Sequence, residues 1–111
     1  MDDVLLPGIA ATAVATSRLT QSVLHPEGAD PAGPGEAVLF VHGNVSSSLF
    51  WQQQLLELAA TGRHRALAVD LRGYGATEPL PIDATRGVRD WSDDLAALVD
   101  ALELTRVHLV G

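Results

Sequence analysis

The chain contains neither cysteine nor lysine, and each absence removes a class of chemistry. Without cysteine there is no disulfide framework and no thiolate metal site. Without lysine, the phosphate-cradling loop that places a Lys after its glycines has no candidate. Cations are few. Seven arginines face 14 Asp and Glu, giving a formal charge of -7 over 111 residues. Such a chain repels a nucleic-acid backbone or an anionic membrane surface, so neither is expected as a partner. No apolar run approaches the ~18 residues needed to cross a bilayer. Met1-Asp2-Asp3 lacks the basic start of a secretory signal. The expected location is the cytoplasm.

What is present is an apolar run that stops abruptly at a polar turn, Ala37-Val38-Leu39-Phe40-Val41-His42-Gly43-Asn44. A strand buried on both faces loses the alternation of a half-exposed one, as a parallel sheet covered by helices requires. Gly43 lacks the Cβ that would hold backbone N–H groups away from a ligand, and Ser46, Ser47 and Ser48 are candidates to cap a helix.

The rest of the chain reads as strand and helix in alternation. Residues 1–12 form an N-terminal lead and 13–111 a partial domain. Ala13 to His25 predicts one or two strands breaking near Arg18 to Thr20, and the Pro- and Gly-rich stretch Pro26 to Glu36 predicts a loop. Phe50, Trp51, Leu55, Leu58 and Ala59 fall at helical spacing between Leu49 and Ala60, with Gly62 placed to end the helix. Arg65 to Val69 predicts a second buried strand. Trp91, Leu95, Leu98, Val99 and Leu102 line one face of a second helix beginning at Asp90, and Val107 to Val110 predicts a last strand. Glu57, Asp90, Asp93, Asp94, Asp100 and Glu103 read as a solvated acidic face. The fold class is α/β, with a mostly parallel sheet and helices on both faces.

In such sheets ligands bind outside the carboxyl ends of the strands. Gly73-Tyr74-Gly75 follows a strand, but the dinucleotide fingerprint needs a third glycine where this chain has Glu78. It also needs a helix where Pro79 and Pro81 impose an extended loop. No nucleotide cofactor is expected, nor any other. None of the four histidines, His25, His42, His64 and His108, is spaced as a metal ligand, so no metal site is expected either.

The order His42-Gly43-Asn44, a Ser-rich helix start leading to Trp51, Asp70-Leu71-Arg72-Gly73-Tyr74-Gly75-Ala76-Thr77, and Arg106-Val107-His108-Leu109-Val110-Gly111 resembles the N-terminal half of the α/β-hydrolase fold family. The resemblance runs from about Ala13 to the last residue. It implies a third strand ending at the oxyanion-hole turn, lying between the fourth and fifth, and a fifth ending at a nucleophile, with Gly111 as the first glycine of the nucleophile elbow. Asn44 would then offer its backbone N–H to a developing oxyanion, supported by His42 and Gly43. His42 would brace the turn and take no part in proton transfer. The nucleophile, the acid and the catalytic His of the family all follow Gly111, so none of these residues is assigned to the triad. Asp70 to Thr77 would serve the loop's own structure more than substrate contact, and Trp51, Trp91 and His108 would pack.

The implied parent enzyme cleaves ester-type bonds of small molecules by nucleophile, His and acid. Haloalkane dehalogenase, epoxide hydrolase and lactonase are alternatives. Dehalogenases share His-Gly-Asn but usually follow it with Pro, where this chain has Val45. A different class of reading is a non-catalytic remnant or interaction module. Residues 1–111 alone are expected to be inactive, and to associate through an unpaired sheet edge at the last strand.

Overall fold

The computed structural model describes residues 4–111. The first three residues of the N-terminal lead, and with them the Met1-Asp2-Asp3 start, lie outside the described residues. Five strands form one mixed sheet: β1 (Ile9–Ala15), β2 (Thr20–Pro26), β3 (Glu36–Val41), β4 (Arg65–Val69) and β5 (Arg106–Val110), in the order β1-β2-β4-β3-β5. The pairs β1 with β2 and β2 with β4 are antiparallel, whereas β3 pairs in parallel with both β4 and β5.

β1 begins at Ile9, ahead of the boundary read at Ala13. Its Ala-Ala-Thr-Ala stretch gives little apolar signal, and pairing along β2 fixes it as a strand instead. The hairpin turn is held by Thr16, whose Oγ1 donates to Leu19 O at 2.8 Å and accepts from the Arg18 and Leu19 N–H groups at 3.1 and 3.2 Å. A threonine that satisfies its own turn in this way competes with strand continuation.

Strand alternation sorts the core into two layers. Ala37, Leu39, Leu67, Val69 and Val23 share one cluster with Leu98 and Leu102 of helix α2 (Arg89–Ala101) and its C-terminal cap. Phe40, Ala66, Ala68 and Leu24 share the other with Leu55 of helix α1 (Gln52–Thr61). The helices therefore lie on opposite faces. This follows from β3 sitting between β4 and β5, because two right-handed crossovers running in opposite directions cover opposite sides. Leu39, Leu55, Leu67 and Leu98 are fully buried, each worth roughly 1.5–3 kcal/mol of transfer free energy.

Two helical details depart from the sequence reading. The first turn of the Leu49–Ala60 segment is a 3-10 turn, Ser48–Trp51, before α1 begins. At three residues per turn the phase slips, so Phe50 points out at 67% exposure while Trp51 stacks on Phe40 with ring centroids 4.8 Å apart. Gly62 ends α1 in the left-handed conformation at φ 67°. The acidic face of α2 is the second departure: Asp90 and Asp94 are buried, not solvated. No helix among the described residues is long and apolar enough to cross a membrane.

Candidate active site

The carboxyl ends of β3 and β4 meet around His42. Its ring is buried, its Nδ1 lies 2.9 Å from Gly43 O, and its Nε2 lies 3.0 Å from the Leu71 N–H. A backbone N–H can only donate and a carbonyl can only accept, so Nε2 is the acceptor and Nδ1 carries the proton. Both nitrogens are thereby committed to the backbone. His42 ties the turn after β3 to the loop after β4, and no lone pair is left for general-base work.

Asp70 anchors that second loop. Its carboxylate accepts from the Ser48 N–H at 2.7 Å and the Ala76 N–H at 3.0 Å, while its own N–H donates to Ser22 O at 2.9 Å. Thr77 adds a further tie, donating its hydroxyl to Asp70 O and accepting from the Ser22 N–H. The buried Asp70 side chain thus joins the entry to α1 to the loop Leu71 to Thr77, and its backbone together with Thr77 ties both to β2. Gly75 is obligatory here, since a Cβ would stand 2.3 Å from the Asp70 carboxyl carbon. Ser47 caps the 3-10 turn by accepting from the Leu49 N–H at 3.3 Å.

Asn44 sits exposed at the tip, and its side-chain Oδ1 accepts from the Tyr74 hydroxyl at 2.5 Å. Tyr74 also meets the His42 ring edge-on, with centroids 5.0 Å apart. Among the described residues none accepts a hydrogen bond from the Asn44 N–H. Val45 follows at φ 55°, a left-handed conformation that is rare for a β-branched residue and closed to proline, whose φ is fixed near -65°. The Asn-Pro turn of the dehalogenase pattern therefore cannot be formed with this geometry.

His42, Gly43, Asn44, Leu71, Tyr74 and Trp91 line a shallow pocket. Trp91 reaches it from α2 and donates its indole N–H to Arg72 O at 3.0 Å. Gly111 lies at the adjoining strand end, where a Cβ would be 3.4 Å from Val41 O. With Gly43, Ser46 and Trp51 it lines a neighbouring cleft.

Below the loop lies an ion-pair network that the sequence reading missed. Arg72 meets the fully buried Asp94 in a fork, Nε to Oδ2 at 2.8 Å and Nη2 to Oδ1 at 2.9 Å, and Arg18 adds Nε to Oδ1 at 2.7 Å. The hydrogen bond to Asp94 raises the pKa of Arg72 further above its ordinary value. Asp90 accepts from the Asp83 N–H, which is the main reason its carboxyl is held below the ordinary range, with Arg86, Arg72 and Arg18 adding to it. The only sequence signal was Asp90 and Asp94 at helical spacing, which also describes an exposed face.

Residues 38–111 match the model of a family described as "Alpha/beta hydrolase family". The chain is 42% identical over 80 residues to "Epoxide hydrolase 1" of Siraitia grosvenorii, covering 72% of this chain and 25% of that protein. It is 39% identical over 80 residues to the 2-hydroxy-6-oxo-2,4-heptadienoate hydrolase of Pseudomonas putida, covering 71% of this chain and 29% of that protein. The crystal structure of epoxide hydrolase VrEH1 from Vigna radiata superposes with a TM-score of 0.76 at 31% identity, covering 94% of this chain and 32% of that one. The chain thus spans about a quarter to a third of the length of these relatives.

Proposed function

The chain belongs to the alpha/beta hydrolase family, and from that membership we propose that it forms the N-terminal part of a small-molecule hydrolase acting through a nucleophile, a His and an acid. In this reading Asn44 supplies one backbone N–H of the oxyanion hole. The observation that supports it is the His42 brace, which fixes the turn after β3 through both ring nitrogens, while none of the described residues accepts the Asn44 N–H. A preorganised donor costs nothing to reorient as charge develops, and one such donor is worth roughly 3–4 kcal/mol. Asn44→Ala keeps the main-chain donor and Asn44→Pro removes it. In the full-length enzyme the proline variant should lose about 100- to 1,000-fold in kcat while the alanine variant stays within about tenfold. Equal losses from both would sink the assignment.

Ester-type bonds are the first substrate class for this site, because an oxyanion donor serves an acyl transition state directly. Epoxide opening is the second reading, supported by the names of the relatives. A carboxylate in the nucleophile position would favour the epoxide reading and a serine the ester. Mass spectrometry of the trapped covalent intermediate separates them. We place the protein in the cytoplasm, and read the open edge of β5 as a surface that pairs with further protein.

A further inference from the structure

Three side chains come together at the opposite, amino end of the parallel strands. Glu36 opens β3, His64 immediately precedes β4, and His108 lies within β5. The register explains the meeting. Ala37 pairs with Arg65, so one step earlier Glu36 stands beside His64; Glu36 pairs with Arg106, so His108 is its diagonal neighbour two residues on. Val38 and Ala66 belong to the α1-side cluster, and strand alternation sends Glu36, His64 and His108 to that same face.

His64 Nε2 lies 2.8 Å and His108 Nε2 3.4 Å from the same carboxylate oxygen, Glu36 Oε2, and the two rings meet edge-on with centroids 5.6 Å apart. One ligand-type atom from each residue lies within 4.8 Å of the other two. We propose that Glu36, His64 and His108 bind a divalent transition-metal ion of the zinc class, through two imidazole nitrogens and one carboxylate oxygen, and so clamp the amino ends of the three parallel strands.

The donor set decides the class of ion. Two imidazoles and a carboxylate suit Zn2+, Co2+, Ni2+ or Cu2+, whereas Mg2+ and Ca2+ require oxygen shells that this cluster cannot supply. Bonds of about 2.0–2.1 Å in a tetrahedral site put the donor atoms roughly 3.3 Å apart, so a modest closure is needed. The side chains are free to make it, at 40%, 29% and 51% exposure for Glu36, His64 and His108. Arg106 Nη1 holds Glu36 Oε1 at 3.2 Å, which orients the carboxylate and leaves Oε2 for the ion. Each neutral imidazole moves its proton from Nε2 to Nδ1 when Nε2 becomes a ligand, so no net proton is lost.

Within residues 4–111 the His108 side chain lies against Glu36 and the His64 ring. The histidines do assemble, although linear spacing gave no sign of it: register joined them, not a local motif. The five residue steps of β3 from Glu36 to Val41, about 17 Å at roughly 3.3 Å per residue, separate the site from the His42 turn. The site is therefore a structural clamp and not part of the hydrolytic chemistry, and it stands or falls separately from the proposed function.

Calorimetric titration of the metal-stripped full-length protein with ZnCl2 tests it. One saturable equivalent is expected, with His64→Gln and His108→Gln each weakening binding at least tenfold. Glu57→Gln, at an exposed acid elsewhere, should bind like the parent. Glu36→His, which replaces one ligand by another, should retain binding. CoCl2 should give the visible absorption of a low-coordinate site, lost in both His variants, and MgCl2 should give no saturable heat. Absence of saturable zinc binding by the parent chain, or binding unchanged in both His variants, would overturn the proposal.

Discussion

Arg72 and Asp94 face each other fork to fork, joined by two hydrogen bonds of 2.8 and 2.9 Å, with Asp94 wholly withdrawn from solvent. The pair ties the loop beside the candidate active site to α2. Taking two charges out of water is costly, and the pair offsets that cost only while both partners are present. Asp94→Ala would strand the Arg72 guanidinium and release Arg18 as well. A loss of about 3–5 kcal/mol in urea unfolding is expected, and a loss below about 1 kcal/mol would show that water reaches the site.

Gly75→Ala should be damaging for a reason unrelated to helix or strand propensity. The added methyl would collide with the Asp70 carboxylate, which would have to give up the Ser48 or the Ala76 N–H. The Ser48 N–H is buried, and a buried donor left unpaired costs about 1–3 kcal/mol. Gly62→Ala is the control, since φ there is also positive at 67°, in the left-handed helical region, but nothing lies within 4 Å of the added carbon. Thermal melts should show the Gly75 variant falling well below the Gly62 variant.

The tautomer of His42 can be read directly. Long-range nitrogen–proton correlation should report the proton on Nδ1, and His42→Ala should lose about 1–3 kcal/mol because the Leu71 N–H has no other acceptor. Observation of the Nε2–H tautomer would contradict the brace.

Acid should weaken the fold partly through Asp90. Its folded pKa is depressed, so its contribution is fully present above the unfolded value of about 3.9. That contribution is lost as pH falls through the lower folded value. Asp90→Asn should be less stable than the parent near neutrality, and the gap should narrow below about pH 4. A gap constant with pH would assign the effect to packing.

Residues 1–111 prepared alone should self-associate. Among the described residues β5 pairs only with β3, and Leu109 is 64% exposed, so an apolar strand edge is open to another chain. Size-exclusion chromatography should show species larger than monomer, reduced by Leu109→Lys; a monomer with a cooperative melt is the contrary result.

The strands and the His42-Gly43-Asn44 turn were legible because buried parallel strands write themselves as unbroken apolar runs, and strand ends punctuate them. The helices were legible from Leu55 and Leu98, the fully buried anchors of their faces. Asp94 was not, because its partners Arg72 and Arg18 stand 22 and 76 positions away in the chain. Burial of a carboxylate depends on those distant cations, and no local pattern records them. Phe50 was misplaced for a nearer reason, a change of helical period within one turn.

The parallel register of β3 with β5 works as a ruler. Phe40 stands opposite Val110, so the chain leaves the sheet level with the residue just before His42. One residue added within β5 would advance that exit by about 3.3 Å and exchange the faces of every following side chain. The hydrogen-bond ladder could re-form almost unchanged, while Gly111 would no longer stand level with Val41 at the end of β3. The register sets where the end of β5 lies in space as well as which side chains it buries.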